Sequence, residues 1–310
     1  MNKRISCWTI VAMIAVSVFS TSCRRQKDTL DPKVEQFNND ANYYKGESDQ
    51  ADNDINSALG DISAFKTEAT YSSPLCGVTI DTSDITNKIV YFNFDGVTPC
   101  FSPSRTRSGQ IKVQLTTGLH WGDVGAVLTI TYINFKVTRL VDNKSIEFNG
   151  VKTLKNLDGH NWLGFLLGSS DFRYQERAFN VNVTFDDGSV AIWNSARITQ
   201  WHYIPSETKI TFTAQGDTSV NGFSSVDSWG TNRYGDAFTT YYTENLISDT
   251  YCGLWRPNAG ELVHNIPQGD FTLTLGVDQS GNPTPYACAY GYKVSWQGAS
   301  GNNASVVLSY

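Results

Sequence analysis

Beyond its first two dozen residues the chain has no apolar run approaching the roughly 20 residues that a membrane-spanning helix requires. It has no G-x-S-x-G elbow, no H-E-x-x-H and no P-loop, so none of the common hydrolase, zinc-protease or nucleotide machineries is signalled and no cofactor is called for. No two cysteines have the close spacing of a structural zinc site, and His120, His160, His202 and His264 are scattered, which removes the sequence case for a metal. Positive charge is scarce as well. Without Lys3 and Arg4 the remaining chain holds 22 basic against 30 acidic side chains, a formal charge of −8. Nucleic acid and broad docking onto anionic lipid both need clustered Lys and Arg, so neither partner is expected.

What the chain does have begins at its start. Lys3 and Arg4 precede an apolar run from Trp8 to Phe19, then Ser20-Thr21-Ser22 and Cys23. A charged start, a short apolar stretch and small residues before a cut make a secretory signal over residues 1–22. The Ser-Thr-Ser-Cys segment resembles the lipobox of Gram-negative lipoproteins, in the relaxed form found in Bacteroidetes. That resemblance implies that Cys23 becomes the first residue and carries acyl chains such as palmitate. The expected address is an exported protein held to an outer membrane by lipid, on its periplasmic or cell-surface face.

Residues 23–48 are polar and read as a tether, within which Asp31 and Pro32 allow a short helix to Tyr44. Ala51, Ile55, Ala58, Leu59 and Ile62 then fall at helical spacing, which predicts one amphipathic helix over residues 49–66. From Thr79 the period changes to two, as in Leu128-Ile130-Tyr132, Phe179-Val181-Val183-Phe185 and Phe271-Leu273-Leu275-Val277. Turn signals separate such runs, among them Asp95-Gly96, Asn149-Gly150 and Asp187-Gly188. Short strands joined by tight turns make antiparallel sheet, so residues 71–310 are expected to form an all-β body, a β-sandwich or two sandwich-like units with a sub-boundary near residue 248. A transmembrane barrel shows the same alternation and favours an aromatic end such as Tyr310, but a lipid anchor would be redundant there.

Cys76, Cys100, Cys252 and Cys288 remain once Cys7 leaves with the signal and Cys23 is acylated. An even number in an exported chain favours disulfides. A faint repeat orders them. Cys76-Gly77 leads to an apolar strand, a turn containing Asp95 and Thr98-Pro99-Cys100, while Cys252-Gly253 leads to an apolar strand, a turn containing Asp278 and a second Thr-Pro before Cys288. Each copy closing its own loop pairs Cys76 with Cys100 and Cys252 with Cys288, at a gain of roughly 3–4 kcal/mol per bridge from loop-closure entropy.

Arg105-Thr106-Arg107-Ser108-Gly109, Asn149-Gly150-Val151-Lys152-Thr153 and Gly230-Thr231-Asn232-Arg233-Tyr234-Gly235, in that order, resemble a group of Bacteroidetes lipoproteins of unknown function. The resemblance implies a lipid-anchored, Thr-rich, all-β envelope protein and lends no catalytic residue. Arg24-Arg25-Gln26-Lys27 follow Cys23 where surface-exported members carry acids, so outer-membrane residence is the firmer implication.

Candidate chemistry is sparse. Glu176 with Asp186-Asp187 offers a carboxylate pair for glycoside hydrolysis, but Asp187-Gly188 is first of all a hairpin turn. Arg105 and Arg107 beside Gly109 suit a phosphate or carboxylate, yet arginines on an exposed turn are ordinarily just solvated. Trp121, Trp162, Trp201 and Tyr203 sit beside polar neighbours and are the candidates for holding a glycan, because an indole offers an apolar face with a polar edge. The competing reading is that tryptophans fill the core. The expected role is a non-enzymatic structural or interaction protein, with glycans or other envelope proteins as partners; a carbohydrate-binding lipoprotein is the alternative and an all-β hydrolase ranks third.

Overall fold

The computed structural model describes residues 30–62, 75–100, 104–159, 171–253, 256–284, 288–298 and 301–310. Helix α1 runs from Pro32 to Asp61. The Asp31 side chain accepts from the Lys33 backbone N–H at 2.8 Å and caps it, and Pro32 stands in the first turn, where a missing N–H is harmless. The helix therefore begins far before residue 49, and most of the expected tether is part of it. Its burial explains why. Val34, Phe37, Tyr44, Ala51, Ile55, Ala58 and Leu59 form one buried stripe, flanked by the buried polar residues Asn38, Asp40, Glu47, Ser48, Asp52 and Asp54. Only a narrow strip that includes Glu35, Asn39, Asn42, Gly46 and Ser57 is exposed.

The strands are β1 (Val78–Asp81), β2 (Ile89–Asp95), β3 (Arg105–Thr117), β4 (Val127–Arg139), β5 (Ser145–Asn156), β6 (Phe172–Phe185), β7 (Val190–Ile204), β8 (Lys209–Gly216), β9 (Thr218–Val220), β10 (Phe223–Thr231), β11 (Ala237–Asp249), β12 (Ala259–Ile266), β13 (Gly269–Val277), β14 (Gly291–Gln297) and β15 (Asn303–Ser309). The all-β antiparallel class, with an amphipathic helix ahead of it, is what the chain adopts. A sandwich stacks two sheets, whereas here the strands form one hydrogen-bonded sheet in near-sequential order, and the layer against its inner face is α1. Continuity runs through residue 248, since β11 pairs with both β12 and β8. Side chains on α1 reach strands far apart in the sheet: Asn38 donates to the Tyr292 hydroxyl in β14 at 2.9 Å, and the Tyr43 hydroxyl donates to the Val137 carbonyl in β4 at 3.2 Å. The sheet thus curls around the helix.

Bulges supply the curl. β4 carries Asn134 and β6 carries Asn180 out of register with both neighbours, and both are left-handed, at φ 48° and 54°. Asn149 and Asn194 on the adjoining strands accept from the Asn134 and Asn180 N–H groups at 2.8 and 2.9 Å. The backbones crowd there. A Cβ on Gly109 would lie 2.0 Å from the Asn134 carbonyl oxygen, so only glycine fits, and Gly150 meets Val181 in the same way. Asn149-Gly150 therefore lies mid-strand in β5, facing the bulges of β4 and β6, and is not a turn. Each bulge also resets the alternation. In β4 the inward residues are Leu128, Ile130 and Tyr132, then Phe135 and Val137; in β6 they are Tyr174, Glu176 and Ala178, then Val181, Val183 and Phe185. Strands of 13 and 14 residues consequently read as short ones, and Phe179, expected inward, is 59% exposed.

Both expected disulfides form. Cys76–Cys100 closes the β1–β2 hairpin with Cα atoms 5.8 Å apart, and Cys252–Cys288 ties the end of β11 to the start of β14 at 5.2 Å.

Candidate functional site

The inner face of the sheet is not uniformly apolar. Arg107, Lys152, Glu176, Arg197 and Asp227 occupy inward positions and are buried. All but Glu176 meet charges on α1 of complementary sign. Arg233 grips Asp40 with two hydrogen bonds of 2.6 Å, Arg105 pairs with Glu47, Arg107 with Asp54, and Arg197 with Asp49. Lys152 Nζ lies 2.6 Å from Asp52 and 2.9 Å from the Ser48 hydroxyl. The one inverted pair is Lys45 on the helix with Asp227 on β10, at 3.4 Å. A line of ion pairs thus flanks the apolar stripe of α1.

At the centre of this seam Glu176 accepts from Arg197 at 2.9 and 3.2 Å and from the Ser195 hydroxyl at 2.5 Å, with Lys152 at 3.8 Å. Burial alone would raise the Glu176 carboxyl, but Arg197 and Lys152 override it and hold the group down at about 2. Asp52 goes the other way: burial, with the neighbouring Glu176 charge, outweighs Lys152 and pushes it up to about 6. Carboxylate oxygens of Asp49, Asp52 and Glu176 lie within 4.8 Å of one another beside a recess of about 90 Å³ walled by Tyr174, Trp201 and Phe212. Each of the three acids already faces Lys152 or Arg197. Their charge is met within the protein, and the recess is too small for a sugar ring with its hydroxyls. His264 is buried, hydrogen-bonded to the Thr240 hydroxyl at 2.8 Å and edge-on to Phe37; burial lowers it to about 3, so it is neutral.

A larger cleft, of about 470 Å³, opens where the β4–β5, β6–β7 and β10–β11 turns converge on the exposed strip of α1. Its floor includes Asn39, Asn42 and Gly46, and Arg105, Arg139, Lys144 and Arg233 stand around it. The Arg139 guanidinium lies over the Tyr43 ring at 5.0 Å and that of Arg233 over Phe185 at 4.0 Å. Gly46 is anomalous in this setting. A mid-helix glycine destabilises by roughly 0.5–1 kcal/mol relative to alanine, and a Cβ there would meet nothing within 4 Å. Gly46→Ala is accordingly expected to stabilise the fold by about 0.5–1 kcal/mol in urea unfolding; a loss would mean that the helix needs its glycine.

The residues singled out from sequence are dispersed. Trp121 is 2% exposed and donates its indole N–H to Asn56 at 2.8 Å, and Trp201 is 6% exposed and packs on Phe172 and Phe212. Both are core residues, Tyr203 is half-buried, and Trp162 lies outside the described residues. The described members of this set make no glycan ledge. Arg105 and Arg107, expected to be solvated, are instead drawn inward by Glu47 and Asp54. Asp187 is a turn residue that accepts from Ser189 and Arg233, remote from the recess that holds Glu176. Cys23 and His160 lie outside the described residues. The buried seam was missed, although Lys152 stands in phase with Leu154, and Glu176 with Tyr174 and Ala178. A charge at an inward position of an alternating strand was the available signal. No protein-family model, curated protein or solved structure matches the chain.

Proposed function

We propose that this chain is an exported, lipid-anchored cell-envelope protein with a non-enzymatic structural or interaction role, as its likeness to Bacteroidetes lipoproteins implies. The observation that carries this reading is the closure of the central carboxylates by Lys152 and Arg197. Asp49, Asp52 and Glu176 form a convergent acidic group, in which Asp49 and Asp52 tie α1 to Arg197 and Lys152 of the sheet and Glu176 binds the same two cations. Two disulfides suit an oxidising compartment, and they staple the sheet at β1–β2 and between β11 and β14. Such a plugged sheet is a rigid body suited to presenting its outer surface and turns from a membrane. Attachment is through acylated Cys23.

Cys23→Ala is expected to move the protein from the membrane fraction to the soluble fraction, or to leave it unprocessed, with both disulfides intact. Unchanged membrane partition together with normal maturation would remove the anchor from this reading.

A further inference from the structure

The cleft over α1 is unexplained by the scaffold. Its volume, about 470 Å³, lies in the range of small-molecule sites, roughly 300–1,000 Å³. Its floor is where the helix departs from what stability favours. Gly46 is unnecessary for packing, because nothing lies within 4 Å of the position its Cβ would take. Asn39 and Asn42 are exposed on the same strip, and asparagine is among the weaker helix formers. A glycine that leaves open space and two amides that both donate and accept make a floor fitted to a ligand rich in hydroxyl groups.

The charges narrow the class. Four cations line the cleft against three acids, Asp40, Glu47 and Asp186. Arg233 and Arg105 are engaged with Asp40 and Glu47, and Arg139 with Asp142 at 2.6 Å in a pair that is about one-third exposed on each side and therefore exchangeable. Lys144 is the lining cation that has no acidic partner among the described residues. One ammonium without an acidic partner and one loosely held guanidinium, both lining the cleft, match one carboxylate. A phosphate, with its higher charge, would be disfavoured by the three acids that line the cleft.

We propose that this cleft binds a small acidic sugar, a mono- or disaccharide bearing a carboxylate, with that carboxylate at Lys144 and Arg139 and its hydroxyl groups on Asn39 and Asn42. The site is separate from the tryptophans considered from sequence, and it operates whether or not Cys23 is acylated.

The purified full chain is titrated in low salt with glucuronate and digalacturonate, with glucose as the neutral control and inorganic phosphate as the anionic one, and binding is followed by calorimetry and ligand-observed NMR. Saturable binding of a uronic acid sugar is expected, about tenfold tighter than that of either control. Lys144→Met is expected to weaken it by about tenfold, and Gly46→Leu, whose side chain enters the cleft, to abolish it. Both variants are expected to melt no lower than the parent, which separates a filled site from a failed fold. Absence of saturable uronate binding by protein with parental melting overturns the proposal. So does binding that neither variant alters, or phosphate or glucose binding as tightly as the uronate.

Discussion

Lys152→Met is expected to lower the unfolding free energy by about 3–5 kcal/mol, with urea unfolding as the measurement. The Lys152 ammonium is fully buried between Asp52 at 2.6 Å and Glu176 at 3.8 Å. Burial alone would drive its proton off, but Asp52, and Glu176 after it, hold it charged. Removing the cation leaves Asp52 buried without its counter-charge, which is the costly half of any buried ion pair. For a body of this size the melting temperature is expected to fall by roughly 6–20 °C. Adding Asp52→Leu to Lys152→Met is expected to return much of that loss, since Glu176 keeps Arg197 and an apolar pair packs without a desolvation penalty. A single variant that unfolds like the parent would mean that the seam is solvated and does not hold α1.

The elements that were legible in the sequence are those in which local pattern and final environment agree. Inward alternation in β13 and the apolar stripe from Ala51 to Leu59 are simple cases, and the repeated Cys-strand-turn-Thr-Pro order led to both disulfides. Polar burial hid the rest. Asn38, Asp40, Glu47 and Ser48 make residues 32–48 look like a tether, because the partners that allow their burial lie far away, at Tyr292, Arg233, Arg105 and Lys152. The same non-locality concealed Arg107, whose counter-charge is Asp54 on the helix. Bulges hid strand length by shifting the phase within β4 and β6. Tryptophans beside polar neighbours suggested an exposed ledge, but in a curled sheet the polar neighbour of Trp121 is Asn56 from the buried helix.

Two buried groups with opposite shifts are expected to offset one another between about pH 6 and pH 4.5, and single substitutions to tilt the stability profile in opposite directions. The folded-state value of His264 is depressed from 6.5 to about 3 by burial, with Asp227 and Lys45 the charges nearby. Its unfolded form takes up a proton that the folded form refuses, so stability falls as pH drops below 6.5. Asp52 is raised from 3.8 to about 6, so the folded form takes up the proton first and stability rises as pH drops through 6. In that window each state holds one of these two protons and the two slopes cancel. His264→Asn removes the first contribution, so its stability relative to the parent is expected to rise by about 1.4 kcal/mol per pH unit of acidification. Asp52→Asn removes the second, and its stability relative to the parent is expected to fall at the same rate, about 1.4 kcal/mol per unit. Taking differences from the parent cancels the contributions of Asp40 and Glu47, which burial also raises. Below pH 3.8, where Asp52 is protonated in both states, Glu176 governs: held at about 2 in the fold against 4.5 unfolded, its contribution is complete above 4.5 and is lost as pH falls towards 2, so all three proteins are expected to lose stability there. Urea midpoints at half-unit steps of pH measure the slopes. Parallel profiles for the two variants would show that neither group is buried in the environment described, and with that the seam around α1 would lose its electrostatic basis.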